Sequence, residues 1–249
     1  MAVSSTVFLA AVVLVAIVVE SAAGFGATVV TVTLGAQLLP LDTVLAAFLP
    51  LNVMLSLAVV ARNVKHVDRR VLLVQVLPWM GIGTAVGVAL ARFRGAGWIK
   101  IVFAAFVIVL SVSELVAMKR KADERTTPLS PPVSAVALST AGIIHGLFAC
   151  GGPLVVWVVG RTISEKSAFR ATLSALWLLM NVVLVGTMVW DGSVSRASLV
   201  TTAALVPSLL LGLLLGDRLH RKLDERSFRL GVFVLLLVAA GVLLLRSIW

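Results

Sequence analysis

The chain has 249 residues, of which 60% are hydrophobic and only 13% charged. A water-soluble domain is about half apolar and about one quarter charged, so that class is excluded. The net charge of +10 does not mark a nucleic-acid binder, because the basic residues fall in short loops between apolar runs, where they set membrane orientation and meet anionic headgroups. The composition predicts an all-α integral membrane protein.

Eight apolar stretches run along the chain, at roughly 4–39, 41–61, 71–91, 97–118, 133–160, 168–190, 197–216 and 228–248. A crossing helix takes about 20 such residues. The first stretch has no basic n-region or obvious cleavage site, so it reads as mature protein and not as a signal peptide. It is also too long for one crossing, and Glu20, Gly24, Phe25 and Gly26 lie in its middle. The second stretch carries Asn52 and ends at Arg62; the third carries Gln75, Pro78, Gly83 and Gly87. The charged, proline-rich segment 119–132 then separates residues 1–118 from residues 133–249.

The second half repeats the first. The fifth stretch is again overlong, with His145, Cys150, Gly151, Gly152 and Pro153 in its middle. Glu20 through Gly26 overlies His145 through Gly151 at a spacing of 125 residues. Leu51 and Asn52 recur as Met180 and Asn181, and Pro78, Gly83 and Gly87 recur as Pro207, Gly212 and Gly216, all at a spacing of 129. One four-residue indel reconciles the two spacings. A duplicated half in so apolar a chain is the mark of a transporter core with its site at the repeat interface.

Charge counting sets the topology. If each overlong stretch is one crossing, the 21 Lys and Arg residues divide almost evenly between the two sides. If each is broken in the middle, as a re-entrant hairpin or as two short spans, one side collects four in 62–70, four in 119–125, three in 161–170 and five in 218–229, which is sixteen of the 21. The positive-inside rule favours the broken form. Each repeat is then a broken first segment followed by three transmembrane helices, the halves are inverted relative to each other, and both termini face the outer side.

The breaks carry the candidate chemistry. Gly24, Phe25 and Gly26 in the first half, and Cys150, Gly151 and Gly152 in the second, are placed to line a polar cavity, with Pro153 opening a new helix. Backbone N–H groups freed at a break are tolerated in lipid only against a cavity or ligand, and the start of a half-helix suits an anion. Tight packing through small residues is the competing explanation of the glycines. Asn52 and Asn181 offer donors and acceptors to an oxyanion or, alternatively, to each other's helices; Gln75 and Ser174 resemble them less closely. Glu20 is the one acid deep in an apolar run and His145 holds the matching place, so both are candidates for proton coupling or for plain hydrogen bonding in the bundle. Arg62 and Arg170 stand at a cytoplasmic mouth, as anion attractors or as topological charges. Trp79, Trp98, Trp190 and Trp249 fall near helix ends, as interfacial anchors do.

Several classes find no support. Cys150 is the only cysteine, which rules out an intramolecular disulfide and a thiolate metal cluster. No Walker-type loop suggests an ATP-driven pump. Of three histidines, His66 and His220 lie in charged loops, so no metal or catalytic constellation is visible and no cofactor is called for.

The glycine-rich break early in each half, Ala23 to Ala27 and Ala149 to Pro153, resembles the sulfite exporter TauE/SafE family, also called the toluene-sulfonate uptake permease family. So do Leu51 and Asn52 with the following Arg62, Asn63 and Asp68. The resemblance runs over nearly the whole chain. It implies secondary transport of small sulfur-containing anions, sulfite or organosulfonates such as sulfoacetate, across the bacterial inner membrane, with proton-coupled export as the expected mode. A passive anion channel, or a permease of the same fold for another small organic anion, is the alternative. The partners implied are a small anionic substrate and the lipid bilayer, not nucleic acid, and a homodimer is compatible with a transporter of this size.

Overall fold

A backbone in hydrocarbon can satisfy its N–H and C=O groups only within its own segment, which leaves the helix as the available element for an open chain. The computed structural model describes residues 3–23, 25–91, 97–119, 129–222 and 225–248, and all regular structure among them is helical. The helices are α1 Val3–Ala23, α2 Ala27–Gly35, α3 Leu41–Asn63, α4 Leu77–Leu90, α5 Gly97–Lys119, α6 Pro131–Phe148, α7 Gly152–Val159, α8 Lys166–Trp190, α9 Arg196–Lys222 and α10 Glu225–Ile248. Among the described residues, eight are long and apolar enough to cross a membrane. The other two, α2 with 9 residues and α7 with 8, are about 12–14 Å long at 1.5 Å per residue, under half a bilayer core.

Both overlong stretches are therefore a full-length helix joined by a short break to a half-length one. α2 packs on α1, and α7 packs on α6. The first break turns at Gly26, whose φ of 108° no side-chain-bearing residue adopts cheaply. In the second break the left-handed residue is Ala149, at φ 55°, and its N–H donates to the His145 carbonyl at 2.6 Å. The glycine there answers a steric demand instead: a Cβ on Gly151 would run into the Ala141 carbonyl and lie 3.1 Å from the His145 Cβ.

The described helices sort into two compact units, and neither is a sequence half. The first holds α1, α2, α3 through Phe48, α5, α9 and α10; the second holds α3 from Leu49, α4, α6, α7 and α8. Inside each unit the repeats exchange partners. α1 packs on α9 in one, and α4 packs on α6 in the other. A Cβ added at Gly83 or Gly87 of α4 would strike the carbonyls of Ser139 and Ile143, and one added at Gly142 or Gly146 of α6 would strike those of Met80 and Thr84. In the first unit, Gly212 and Gly216 of α9 meet Ile17, 2.7 Å from its Cβ, and Ser21 of α1. Ile17 and Ser21 are the residues that a shift of 125 carries onto Gly142 and Gly146. The same seam of small residues is thus built twice, at the register read from the sequence.

The four-residue indel also has a place. Asn52 stands 11 residues after the start of α3, and Asn181 stands 15 after the start of α8. The difference is about one helical turn, added at the N-terminus of α8 without rotating its inner face. Glu165 caps that added turn, accepting from the N–H groups of Ser167, at 2.8 Å, and Ala168.

α4 is preceded by a π-helical segment, Val71–Val76. Pro78 lacks an N–H and crowds the carbonyl four residues back, which widens the turn before it. Asp68 starts this segment: its Oδ1 accepts from the Val71 N–H at 3.0 Å, and its own N–H donates to Thr172 Oγ1 at 2.9 Å. The long helices keep apolar side chains on their outer surfaces, among them Val109 on α5, Val136 on α6, Leu214 on α9 and Val238 on α10. Such faces suit lipid. Trp79, Trp98 and Trp190 are exposed as well, Trp190 at 94%; Trp249 lies outside the described residues.

Candidate functional site

The second unit contains a buried polar strip. Asn52 on α3 and Asn181 on α8 are each 2% exposed, and Asn181 Nδ2 donates to Asn52 Oδ1 at 3.3 Å. Ser56 Oγ, one turn further along α3, donates to the same oxygen at 3.3 Å. The two asparagines are 129 residues apart, the repeat spacing itself. Residues at equivalent positions of the two sequence repeats are thus in direct contact.

His145 closes the strip from α6. Its ring stacks on Trp177 with centroids 5.8 Å apart and planes at 26°. Trp177 and Asn181 are four residues apart on α8 and so share a face. Thr84 on α4 completes the surroundings, its Oγ1 lying 3.7 Å from Met180 Sδ. His145 is 1% exposed, and neither ring nitrogen has a hydrogen-bond partner; Asn181 Oδ1 has none either. The Met180 carbonyl lies toward the imidazole without meeting hydrogen-bond geometry. Each unmade bond on a buried polar atom costs about 1–3 kcal/mol.

The second break borders His145. Cys150 is 1% exposed and its thiol donates to the Phe148 carbonyl at 3.0 Å. Gly151 lies against His145 and Ala141 as described, and buried Gly152 opens α7 with Pro153 in its first turn.

Arg62 and Arg170 lie toward one end of this unit. Arg62 is 10 residues beyond Asn52 on α3, and Arg170 is 11 residues before Asn181 on α8. The Asp68–Thr172 hydrogen bond joins α8 to the segment that follows α3 at that end. Each arginine is thus about 15 Å along its helix from the asparagine pair.

In the first unit, Glu20 receives a definite role. One carboxylate oxygen accepts from the N–H of Ala27, the first residue of α2, at 2.9 Å. The half-helix whose start was expected to face an anion already has one, supplied from α1. Phe25 is buried beside the turn at Gly26, and Gly24 lies outside the described residues. The hydroxyls of Ser21, Thr31 and Thr33 are buried here without partners.

The site residues expected from sequence thus fall into two groups. His145, Asn52, Asn181, Cys150, Gly151, Gly152, Arg62 and Arg170 belong to the second unit; Glu20, Phe25 and Gly26 belong to the first. Three neighbours were missed. Ser56 was within reach, being four residues from Asn52 on the same helix face. Trp177 was signalled by its position inside an apolar run, where the other tryptophans named above mark ends. Thr84 carried no signal, since its contact with Met180 spans 96 residues.

A family model described as "Sulfite exporter TauE/SafE" matches residues 9–243. The chain belongs to the sulfite exporter TauE/SafE family. This TauE/SafE chain is also 22% identical over 175 residues to the probable inner membrane transporter protein TsaS of Comamonas testosteroni, covering 70% of this chain and 71% of that one. No solved structure matches it. The TauE/SafE family and TsaS are transporters and not enzymes, and this chain is a multi-pass inner-membrane transporter of that family.

Proposed function

We propose that this TauE/SafE member is a secondary transporter of small sulfur-containing anions, sulfite or an organosulfonate such as sulfoacetate, working as a proton-coupled exporter. The supporting observation is the hydrogen bond between the repeat-equivalent Asn52 and Asn181, at 3.3 Å and fully buried. It supports a binding place where the repeats meet, about 15 Å along the helices from Arg62 and Arg170 and so near the middle of a core about 30 Å thick. The amides contribute hydrogen bonds to an oxyanion, the arginines gather anions at the cytoplasmic mouth, and the breaks lend backbone groups. Sixteen of the 21 basic residues lie in the loops assigned to the cytoplasm, with both termini outside.

The test is flux in proteoliposomes. Purified protein is expected to accumulate labelled sulfite or sulfoacetate against its own gradient when a pH gradient is imposed. Asn52→Ala with Asn181→Ala lowers the rate at least tenfold while the protein stays folded by gel filtration. Movement only down the anion gradient, with no response to pH, identifies a passive channel instead.

A further inference from the structure

Among the described residues, no Lys, Arg, Asp or Glu side chain is buried. The strip in the second unit is built from an imidazole, two amides and hydroxyls, and its unpartnered atoms are His145 Nδ1, His145 Nε2 and Asn181 Oδ1. A neutral imidazole offers one N–H and one bare nitrogen, and an amide oxygen only accepts. Together these atoms ask for a ligand that both accepts and donates.

We propose that His145 and Asn181 receive a singly charged oxyanion that still carries one proton, such as hydrogen sulfite, so that the proton crosses on the substrate. The inference rests on the transport reading above and goes beyond it by naming the species bound. A dianion has no hydrogen to give Asn181 Oδ1 or the bare ring nitrogen. It also brings two charges to a place without a cation, where burial is costly. A protonated monoanion presents an O–H to an acceptor and its remaining oxygens to the imidazole N–H and the asparagine amides. On the loading side sulfite takes one proton to become hydrogen sulfite, and on the other side it releases it. No bond to the protein forms or breaks, and one negative charge crosses per proton.

On the described helices that form the strip, no other titratable side chain lies next to it. α4, its π-helical lead-in and α7 have none, and α6 has only His145. Cys150 lies in the adjoining break, with its thiol directed to Phe148. Asp42 and Arg62 on α3, and Lys166 and Arg170 on α8, are each 10 or more residues from the asparagine of their own helix.

The experiment is calorimetric titration of the purified full chain with sodium sulfite at pH values on both sides of neutrality, with sodium sulfate and methanesulfonate as further probes. Above the second ionisation of sulfurous acid, the apparent Kd for total sulfite is expected to rise about tenfold per pH unit. Referred to hydrogen sulfite it stays constant. Sulfate does not bind, and methanesulfonate, a monoanion without an O–H, binds at least tenfold more weakly than hydrogen sulfite. His145→Gln keeps a donor and an acceptor but cannot titrate, so the pH slope survives in it; Asn181→Leu weakens sulfite at least tenfold. Sulfite binding that strengthens with pH, sulfate that binds as well, or a slope that vanishes in His145→Gln overturns the proposal while leaving the transport reading standing. If no sulfur oxyanion binds at any pH, the transport reading fails and takes this one with it. The wild-type slope needs no variant, so a misfolded Asn181→Leu does not weaken the test.

Discussion

At Glu20 a structural role and a proton-carrying role can be told apart by experiment. An acid deep in an apolar run reads as a proton carrier, and its observed bond is to the Ala27 N–H at the start of α2. Gln keeps an acceptor oxygen and discards the charge; Ala discards both. Glu20→Ala is expected to lower stability by about 1 kcal/mol, the usual worth of a helix cap, while Glu20→Gln stays near wild type in thermal unfolding in detergent. Equal losses in the two variants would show that the charge, and not the cap, holds the break together. Proton-driven flux that is lost in a stable Glu20→Gln would assign Glu20 a coupling role as well. His145 differs from Glu20, because its neighbours supply a stacking tryptophan and leave both nitrogens unpartnered.

The helices differ in what holds them. α4 and α6 approach through Gly83, Gly87, Gly142 and Gly146, where any Cβ would meet backbone. Close packing of this kind replaces the hydrophobic effect as the source of helix association in lipid. Gly83→Ala is therefore expected to destabilise by 1 kcal/mol or more, in the manner of an overpacked core. Gly186→Ala, on α8 with open space around it, is expected to be neutral or to stabilise by up to about 1 kcal/mol through helix propensity. Denaturant titration of the two variants side by side checks the pair; equal effects would mean that α4 and α6 are held by something other than contact. The start of α8 is different again. Backbone N–H donation from Ser167 and then Ala168 holds the Glu165 carboxyl below its ordinary value of 4.5, with a smaller contribution from His66. A depressed carboxyl stabilises the fold above the unfolded-state pKa, and that contribution disappears as pH falls through the folded-state value. Melting temperature should accordingly fall as pH drops from the ordinary value of 4.5 through the lower folded-state value, and Glu165→Ala should flatten the fall. Because the group is exposed, the effect is small and screened by salt.

At the scale of the whole chain, the proposed inverted arrangement of the two sequence halves would place equivalent loops on opposite sides of the membrane. With Cys150 replaced by Ser, Leu38→Cys, which precedes α3, is expected to react with an impermeant maleimide on intact cells. Ser164→Cys, which precedes α8, is expected to react only after permeabilisation. Labelling of both from the same side would make the halves parallel and remove the basis for the inverted reading. The packing within each unit already joins helices from both halves, so α6 of the second repeat finds its partner in α4 of the first, and α9 of the second finds its partner in α1.

Composition and periodic glycines were enough to determine an all-helical membrane chain, eight spans, two breaks and a repeat with its register. Each of these follows from short-range rules: span length from bilayer thickness, breaks from Gly and Pro, and register from equivalent residues recurring at a fixed spacing. The pairing of the helices was beyond such rules, because Gly83 shows nothing about which of several small-residue faces it will meet. Asn52 and Asn181 could be matched by number, yet contact between them is a property of the fold. Only the tertiary structure decided that they bond to each other, that Trp177 covers His145, and that Glu20 is turned to the start of α2. Contacts between residues seven to 129 positions apart depend on how helices and breaks bring them together, and no local pattern encodes that.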